Sequence, residues 1–171
     1  LQNISGFMVG RKYEAGGIAR NRLYPGVLDM LDAIARKGFL AWVVTSKLEH
    51  YAARVVNDLK IDRYVGGVIG AGLDELDTKG KLLARALAAA KIAGRDAIML
   101  GDRSYDVVGA LENGMLAVGA LWGYGSLEEL RAAGCRRFAN TPQDFRSQFV
   151  EAVVHPGTGQ GGKQIRRSAE A

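Results

Sequence analysis

The stretch Ala97-Ile98-Met99-Leu100-Gly101-Asp102-Arg103-Ser104-Tyr105-Asp106 decides the fold of this chain. Its four apolar residues predict a buried strand, and the residues after them predict a turn into a helix over 107–113. Two carboxylates therefore fall at the carboxyl end of a strand, where oxygen ligands suit a hard cation such as Mg²⁺. The alternative, which these residues by themselves favour, is structural: Asp102 caps the helix, and Asp106 is a solvated acid in its first turn.

Further apolar runs alternate with helical patterns on both sides of this stretch. Such alternation predicts an α/β fold with a Rossmann-like parallel sheet and helices on both faces. Ser126 is expected to begin one of the helices, with Glu129 completing a capping box. The predicted strands are 39–44, 65–71, 97–100, 116–121 and 137–139; the predicted helices are 27–37, 49–59, 78–90, 107–113, 127–133 and 142–154.

The two ends of the chain lack this core pattern. Residues 1–24 are predicted to be a short, loosely helical segment that leads into a turn at Pro25-Gly26. Residues 155–171 are rich in glycine and polar residues, which predicts a disordered tail. Within that tail, Gly157–Gln164 nearly matches a P-loop, but Gln164 stands where a hydroxyl is needed to bind Mg²⁺.

The composition is that of a globular domain. The 171 residues are 48% hydrophobic and 24% charged, which excludes a wholly disordered chain. The net charge of +5 is modest and suits small anionic substrates as well as nucleic acid. A single cysteine excludes an internal disulfide and fits a reducing, cytoplasmic location. No apolar run of about 18 residues exists, so we expect no membrane partner.

Two further side chains, those of Thr45 and Lys79, point to an anion site. Thr45 directly follows the predicted strand 39–44, and its hydroxyl and the N–H groups of Ser46 and Lys47 could hold an anion at a helix start. Lys79 opens the predicted helix 78–90, where a cation opposes the helix dipole unless an anion uses it. Taken alone, Thr45 is better explained as an ordinary helix N-cap. The alternative for Lys79 is a solvated lysine, and Lys81 is a rival two residues further on.

Taken together and in this order, the motifs resemble those of the haloacid dehalogenase superfamily. Val43-Val44-Thr45-Ser46 is similar to its second motif, Lys79 to its third, and Gly101–Asp106 to its fourth. Tyr24-Pro25-Gly26-Val27 and Leu121–Ser126 resemble its phosphoglycolate-phosphatase-like branch. The resemblance covers roughly residues 10–152.

The resemblance implies a Mg²⁺-dependent phosphatase that acts through a phospho-aspartate. By resemblance, Asp102 ligates Mg²⁺, Asp106 ligates it or holds its waters, and Thr45, Ser46 and Lys79 bind the phosphoryl group. The implied substrate is a small phosphorylated metabolite, similar to phosphoglycolate or to a nucleotide.

One motif of the family is missing. Its first motif, Asp-x-Asp-x-Thr, supplies the nucleophile and the general acid from the central strand, and this sequence does not contain it. Asp29-Met30-Leu31-Asp32 has the wrong spacing, and Asp74 and Asp77 follow no apolar strand. The resemblance therefore implies that the central first strand and most of the cap are missing, and that this chain alone is inactive.

This departure shapes the expected architecture. We expect residues 1–24 to be the remnant of a helical cap and its linker, residues 25–154 to be the α/β core, and residues 155–171 to be the tail. Without a central strand, its two neighbours would expose unpaired edges, through which the chain could self-associate. A segment swapped from a second copy, or Leu1–Val9 used as a surrogate strand, are the less favoured ways to close the gap.

Two other functions remain as alternatives to the phosphatase. The first is a non-catalytic remnant of the fold that binds phosphate or a partner. The second is nucleic-acid binding through the basic tail, which would depend steeply on salt and which we do not expect.

Overall fold

The computed structural model describes residues 3–5, 10–11, 21–72 and 77–152 of the 171-residue chain. Strands and helices alternate along most of this length. The strands are β1 (Asn3–Ser5), β2 (Gly10–Arg11), β3 (Asn21–Arg22), β4 (Ala41–Leu48), β5 (Val65–Ala71), β6 (Ala97–Gly101), β7 (Leu116–Ala120) and β8 (Arg137–Ala139). The helices are α1 (Val27–Arg36), α2 (Glu49–Asp58), α3 (Lys79–Ala90), α4 (Ser104–Glu112), α5 (Leu127–Ala132) and α6 (Pro142–Phe145).

Six strands form one sheet in the order β5-β4-β1-β6-β7-β8, and every neighbouring pair is parallel. β2 and β3 pair with each other in an antiparallel ribbon. A parallel sheet needs a crossover between neighbouring strands, and the helices between its strands supply these crossovers. The predicted α/β fold with a parallel sheet is therefore confirmed.

The central position of the sheet holds β1, which has only three residues. Ile4 pairs with Ala41 of β4 and with Ile98 of β6. This arrangement is the surrogate strand that the sequence disfavoured, and it gives buried backbone groups of both neighbours a partner. Asn3–Ser5 therefore belongs to the sheet, not to a cap remnant.

The other expectations for the two ends of the chain can be compared with the structure at only a few residues. The described residues Gly10–Arg11 and Asn21–Arg22 are extended, so the loosely helical conformation predicted for residues 1–24 is not found at these positions. Residues 6–9 and 12–20 lie outside the described residues, and so does the predicted tail, 155–171.

The sheet is covered on both faces by two apolar clusters. Side chains of successive residues in β6 point to opposite faces, so Ile98 and Leu100 join one cluster while Ala97 and Met99 join the other. The first cluster packs α1 and α6 against the sheet, and the second packs α3, α4 and α5. Buried side chains of the first include Met30, Leu31, Ile34, Val118 and Phe145; those of the second include Leu82, Leu83, Val107, Ala110 and Leu130.

Three predicted elements differ from the structure by more than one residue at a boundary. β4 begins at Ala41 and continues to Leu48, because an irregularity lets β4 advance from Val44 to Leu48 while β5 advances only from Ile69 to Ala71. Helix α4 begins at Ser104 instead of residue 107, because Asp106 caps its first turn. The final helix is α6 followed by a π-helical segment over Arg146–Glu151, and residues 153–154 are not described.

Helices α3 and α4 approach closely where glycines face each other. A Cβ atom at Gly109 would lie 2.8 Å from the backbone nitrogen of Gly80 and 3.0 Å from the carbonyl carbon of Lys79. The side-chain amide of Asn113 donates to the carbonyl oxygens of Gly80 and Gly109, at 2.9 and 2.8 Å. This contact fixes the first turn of α3, and with it Lys79, against the middle of α4.

Replacing Gly109 by alanine should therefore destabilise the fold. The contact falls on backbone atoms, so overpacking should cost about 1–3 kcal/mol, which exceeds the gain of about 0.5–1 kcal/mol from the better helix propensity of alanine. Urea unfolding measures the net loss. The exposed neighbour Val108 gives the control: Val108→Ala should change stability by less than about 0.5 kcal/mol. A Gly109→Ala variant as stable as the wild type would contradict the close packing.

Candidate functional site

Three buried charged side chains meet at the carboxyl edge of the sheet: Lys79, Asp102 and Asp106, which are 8%, 6% and 4% exposed. Lys79 is the first residue of α3, Asp102 directly follows β6, and Asp106 lies in the first turn of α4. Parallel strands end at the same edge of a sheet, which is why residues far apart in sequence converge here. The predicted grouping of these three residues is present in the structure.

Asp106 is a capping residue as well as a buried acid. Its Oδ2 atom accepts hydrogen bonds from the backbone N–H groups of Asp102 and Arg103, each at 3.2 Å. These donors lie at the start of α4, where N–H groups lack partners within the helix. The structural alternative, a solvated acid, is therefore wrong for Asp106.

Lys79 joins three elements of the fold. Its Nζ atom lies 3.0 Å from Oδ1 of Asp106 and donates to the backbone carbonyl of Val44 in β4, also at 3.0 Å. The contact with Oδ1 has the distance of an ion pair but not the angles of a hydrogen bond, so this buried oxygen keeps an unused acceptor position. An ammonium group has three N–H donors, and the Val44 carbonyl and Asp106 engage at most two of them.

Asp102 is held by the loop that follows β7. Its Oδ2 atom accepts a hydrogen bond of 2.8 Å from the backbone N–H of Tyr124. A Cβ atom at Gly125 would overlap the carbonyl oxygen of Asp102, so this loop packs directly on the Asp102 backbone. The sequence showed the loop as a branch-specific stretch but gave no sign of this main-chain contact.

Thr45 and Ser46 are placed differently from the expectation. The Thr45 hydroxyl accepts a hydrogen bond from the N–H of Lys47 at 3.2 Å, within the irregular end of β4. Helix α2 begins only at Glu49, so the N–H groups of Ser46 and Lys47 are not at a helix start. Within the described residues, no hydrogen bond or ion pair joins Thr45 or Ser46 to the three buried charges. Thr45 does directly follow Val44, whose carbonyl binds Lys79.

Glu129 has a role that the sequence missed. Ser126 caps α5 as predicted, since its hydroxyl accepts from the N–H of Glu129 at 3.1 Å. The Glu129 carboxylate, which the capping box would direct back to Ser126, reaches α4 instead. Its Oε1 atom accepts from Nε of Arg103 at 3.0 Å and from the N–H of Ser104 at 2.9 Å.

The electrostatics of the site disfavour its own negative charge. Burial raises the pKa of Asp102, and the Asp106 charge raises it further, while the Tyr124 N–H and Arg103 oppose these effects. Burial also raises the pKa of Tyr105, again helped by Asp106. The three buried groups carry one positive and two negative charges when ionised, so the site favours an added cation.

The donor set fits a hard cation that keeps part of its own ligand shell. Within the described residues there is no cluster of three or more acidic, histidine or cysteine side chains that could hold a metal ion. Mg²⁺, however, takes only one or two carboxylates from the protein and completes its shell with water and phosphate oxygens. Asp102 and the unused acceptor position on Asp106 Oδ1 fit that requirement.

Comparison with known proteins finds a matching family and several similar proteins. The haloacid dehalogenase-like hydrolase family matches residues 8–120. A 5'-nucleotidase of Pseudomonas aeruginosa is 32% identical over 122 residues, which are 71% of this chain and 55% of the relative. Phosphoglycolate phosphatase 1 of the same organism is 32% identical over 109 residues, 62% of this chain and 39% of that protein.

Solved structures share the fold. The crystal structure of a predicted phosphatase from Clostridium acetobutylicum superposes with a TM-score of 0.74 at 34% identity, over 77% of this chain and 61% of that one. The chain thus spans only about 40–60% of the length of these similar proteins.

Removing the charge of Lys79 should lower the free energy of unfolding. Lys79→Met leaves Asp106 buried without its counter-ion, and the expected loss of unfolding free energy is about 3–5 kcal/mol. Urea denaturation measures this loss. Lys81→Met is the matched control, since Lys81 is exposed two residues further along the same helix, and it should change little. A loss at position 79 as small as at position 81 would contradict a desolvated ion pair.

The burial of Asp102 predicts that removing its charge stabilises the fold, by an amount that depends on pH. An acid whose pKa is raised by folding stabilises the fold in its protonated form, and this contribution is lost as the pH rises through the folded pKa. In metal-free buffer, Asp102→Asn should therefore be more stable than the wild type at pH 7, and the difference should shrink on acidification. Thermal unfolding from pH 4 to 8 measures it.

The control for this experiment is Asp32→Asn, which removes a half-exposed carboxylate paired with Arg36 on α1. This variant should change the stability at pH 7 by no more than about 1 kcal/mol. If Asp102→Asn destabilised the metal-free protein at pH 7, the raised pKa of Asp102 would be contradicted.

Proposed function

The chain belongs to the haloacid dehalogenase-like hydrolase family, and we propose that it provides the phosphate- and metal-binding part of a phosphate monoester hydrolase. The observation that carries the proposal is the buried cluster of Lys79, Asp102 and Asp106 at the carboxyl edge of the parallel sheet. Burying one positive and two negative charges lowers the stability of a fold, and a bound cation and phosphate would offset that loss.

The proposed cation is Mg²⁺. Phosphatases of this family are generally metal-dependent. Asp102 would hold the ion directly, and Asp106 would hold it or its waters through Oδ1. When bound, the ion would neutralise charge on the phosphoryl oxygens. These assignments are supported by the burial of both carboxylates and by the preference of Mg²⁺ for oxygen ligands.

The proposed phosphoryl contacts come from Lys79, Thr45 and Ser46. The ammonium of Lys79 is fixed by Asp106 and by the Val44 carbonyl, and its remaining N–H donor would bind a phosphoryl oxygen. Thr45 and Ser46 follow Val44 along the same strand, so their hydroxyl and N–H groups are the nearest further donors along β4. Charge neutralisation and positioning are the main sources of catalysis in phosphoryl transfer.

A nucleophile is the part that this sequence lacks. The strand at the centre of the sheet, β1, reads Asn3-Ile4-Ser5 and carries no carboxylate. Asp-x-Asp-x-Thr occurs nowhere in the 171 residues. We therefore propose that this chain by itself binds phosphate and Mg²⁺ but does not hydrolyse esters at a useful rate.

The substrate class belongs to the same proposal. The names of the similar proteins, a 5'-nucleotidase and a phosphoglycolate phosphatase, support a small phosphorylated metabolite as partner. No helix within the described ranges combines the length and apolar character needed to cross a bilayer. A cytoplasmic site of action is proposed with the unpaired, buried Cys135 as support, and nucleic acid and membranes are not among the proposed partners.

Turnover of p-nitrophenyl phosphate tests the missing nucleophile. With the 171-residue chain and Mg²⁺ in excess over the protein, we expect no hydrolysis above the buffer rate. Robust turnover that requires Mg²⁺ and disappears in Asp102→Asn would contradict the claim that no nucleophile is present. Isothermal titration calorimetry with Mg²⁺ and inorganic phosphate tests the proposed binding. The wild type should bind both together, and Asp102→Asn should no longer bind the metal.

The alternative is a non-catalytic remnant that binds phosphate or a partner through the same residues. The missing nucleophile motif favours this alternative. The coding sequence upstream of Leu1 separates the two functions: an Asp-x-Asp-x-Thr after an apolar strand in the same reading frame supports the phosphatase, and a translation start near Leu1 supports the remnant.

A further inference from the structure

A competitor for the cation lies next to Asp102 in the chain. Arg103 directly follows Asp102, so a guanidinium and a carboxylate belong to adjacent residues at the start of α4. A guanidinium group binds carboxylates well, because its donors match the two carboxylate oxygens. An Arg103 side chain free to turn towards Asp102 would occupy the carboxylate that the proposed function assigns to a metal ion.

In the structure, Arg103 makes its ion pair with a different carboxylate. The Arg103 guanidinium is held by Glu129 of α5, with its Nε 3.0 Å from Oε1 of the carboxylate. It also lies 5.6 Å from the centre of the Tyr105 ring, a favourable distance for a cation above an aromatic face. The same Glu129 oxygen accepts from the N–H of Ser104, so it is anchored to the start of α4 as well.

The position of Glu129 is also fixed by contacts of its own helix, α5, and of the loop before it. The Ser126 hydroxyl accepts from the backbone N–H of Glu129 and so sets the first turn of α5. The residue before Ser126, Gly125, packs on the backbone of Asp102. The carboxylate of Glu129 is therefore presented to Arg103 from a segment in direct contact with the metal-binding residue.

We propose that Glu129 is a positioning residue, which keeps the guanidinium of Arg103 away from Asp102 and so leaves the Asp102 carboxylate open to a divalent cation. The inference rests on the cation site of the proposed function. The side chains of Arg103 and Glu129 are 42% and 29% exposed. Ion pairs with such exposure add little to stability, so we expect the direction of the Arg103 side chain to be the larger consequence of this contact.

The test is a double-mutant cycle read by metal binding. Wild type, Glu129→Ala, Arg103→Ala and the double variant are titrated with Mn²⁺ as the Mg²⁺ probe, with inorganic phosphate present. Free Mn²⁺ is measured by electron paramagnetic resonance. We expect Glu129→Ala to weaken Mn²⁺ binding roughly threefold to tenfold, because the released Arg103 then competes for Asp102. Arg103→Ala should bind Mn²⁺ at least as tightly as the wild type.

The decisive result is the double variant. If Glu129 acts through Arg103, removing Arg103 restores binding, and the double variant binds within about twofold of Arg103→Ala, since no competitor remains. If Glu129 merely supports the local fold, the double variant stays as weak as Glu129→Ala or weaker, which would overturn the inference. Unchanged Mn²⁺ affinity in Glu129→Ala would overturn it as well.

Glu129→Gln separates charge from shape. The amide oxygen can still accept from the Ser104 N–H, but it no longer attracts Arg103 as a charge does. We expect it to weaken Mn²⁺ binding in the same direction as Glu129→Ala; wild-type affinity in this variant would contradict a role for the carboxylate charge. A wild type that binds no Mn²⁺ would refute the proposed cation site itself, an outcome distinct from a failed cycle.

Discussion

The buried ion pair between Lys79 and Asp106 is the constraint on which this site depends. It lies where three elements meet: α3 supplies the lysine, α4 supplies the carboxylate, and β4 supplies the Val44 carbonyl that takes another lysine donor. A charged pair this deeply buried is stable only while each partner stays in place. The glycine contact between α3 and α4 serves that requirement, because it holds the first turn of α3, and with it Lys79, close against the middle of α4.

Asp106 combines two tasks that are usually given to separate residues. One oxygen closes the first turn of α4, and the other faces Lys79. The helix start and the charge arrangement of the site are therefore set by one side chain. Asp102, by contrast, accepts a hydrogen bond from the backbone of the Tyr124 loop, and burial disfavours the ionisation of its carboxylate. The site thus has one acid, Asp106, that also serves the local fold, and another, Asp102, that we propose as the principal ligand of a metal ion.

The sequence could predict which residues converge, because that depends on topology. Lys79, Asp102 and Asp106 follow or open elements at the same edge of a parallel sheet, and alternating patterns show such a sheet. It could not predict the partners within the site. Glu129 has the spacing of a capping box, yet its carboxylate bonds to α4, since a helix from elsewhere in the chain offers it a charged donor. Local spacing does not reveal that competition.

The central strand, β1, could not be predicted from its own residues either. Asn3–Ser5 has no apolar run and carries no strand signal, yet it pairs with β4 and β6, because the open edges of two buried strands demand partners. The irregular end of β4 could not be foreseen either, since it depends on the register with β5. In each case the surroundings of a segment, not its own residues, decided its conformation.

The hydrogen bond from the Tyr124 backbone to Asp102 has a consequence for how this protein can change. A main-chain donor is independent of the side chain that accompanies it, so any residue except proline at this position can still make the bond. Substitutions in this loop can therefore change the side chains at the rim of the site, while the hydrogen bond that orients the Asp102 carboxylate is kept. New side chains can be sampled at position 124 without loss of this contact.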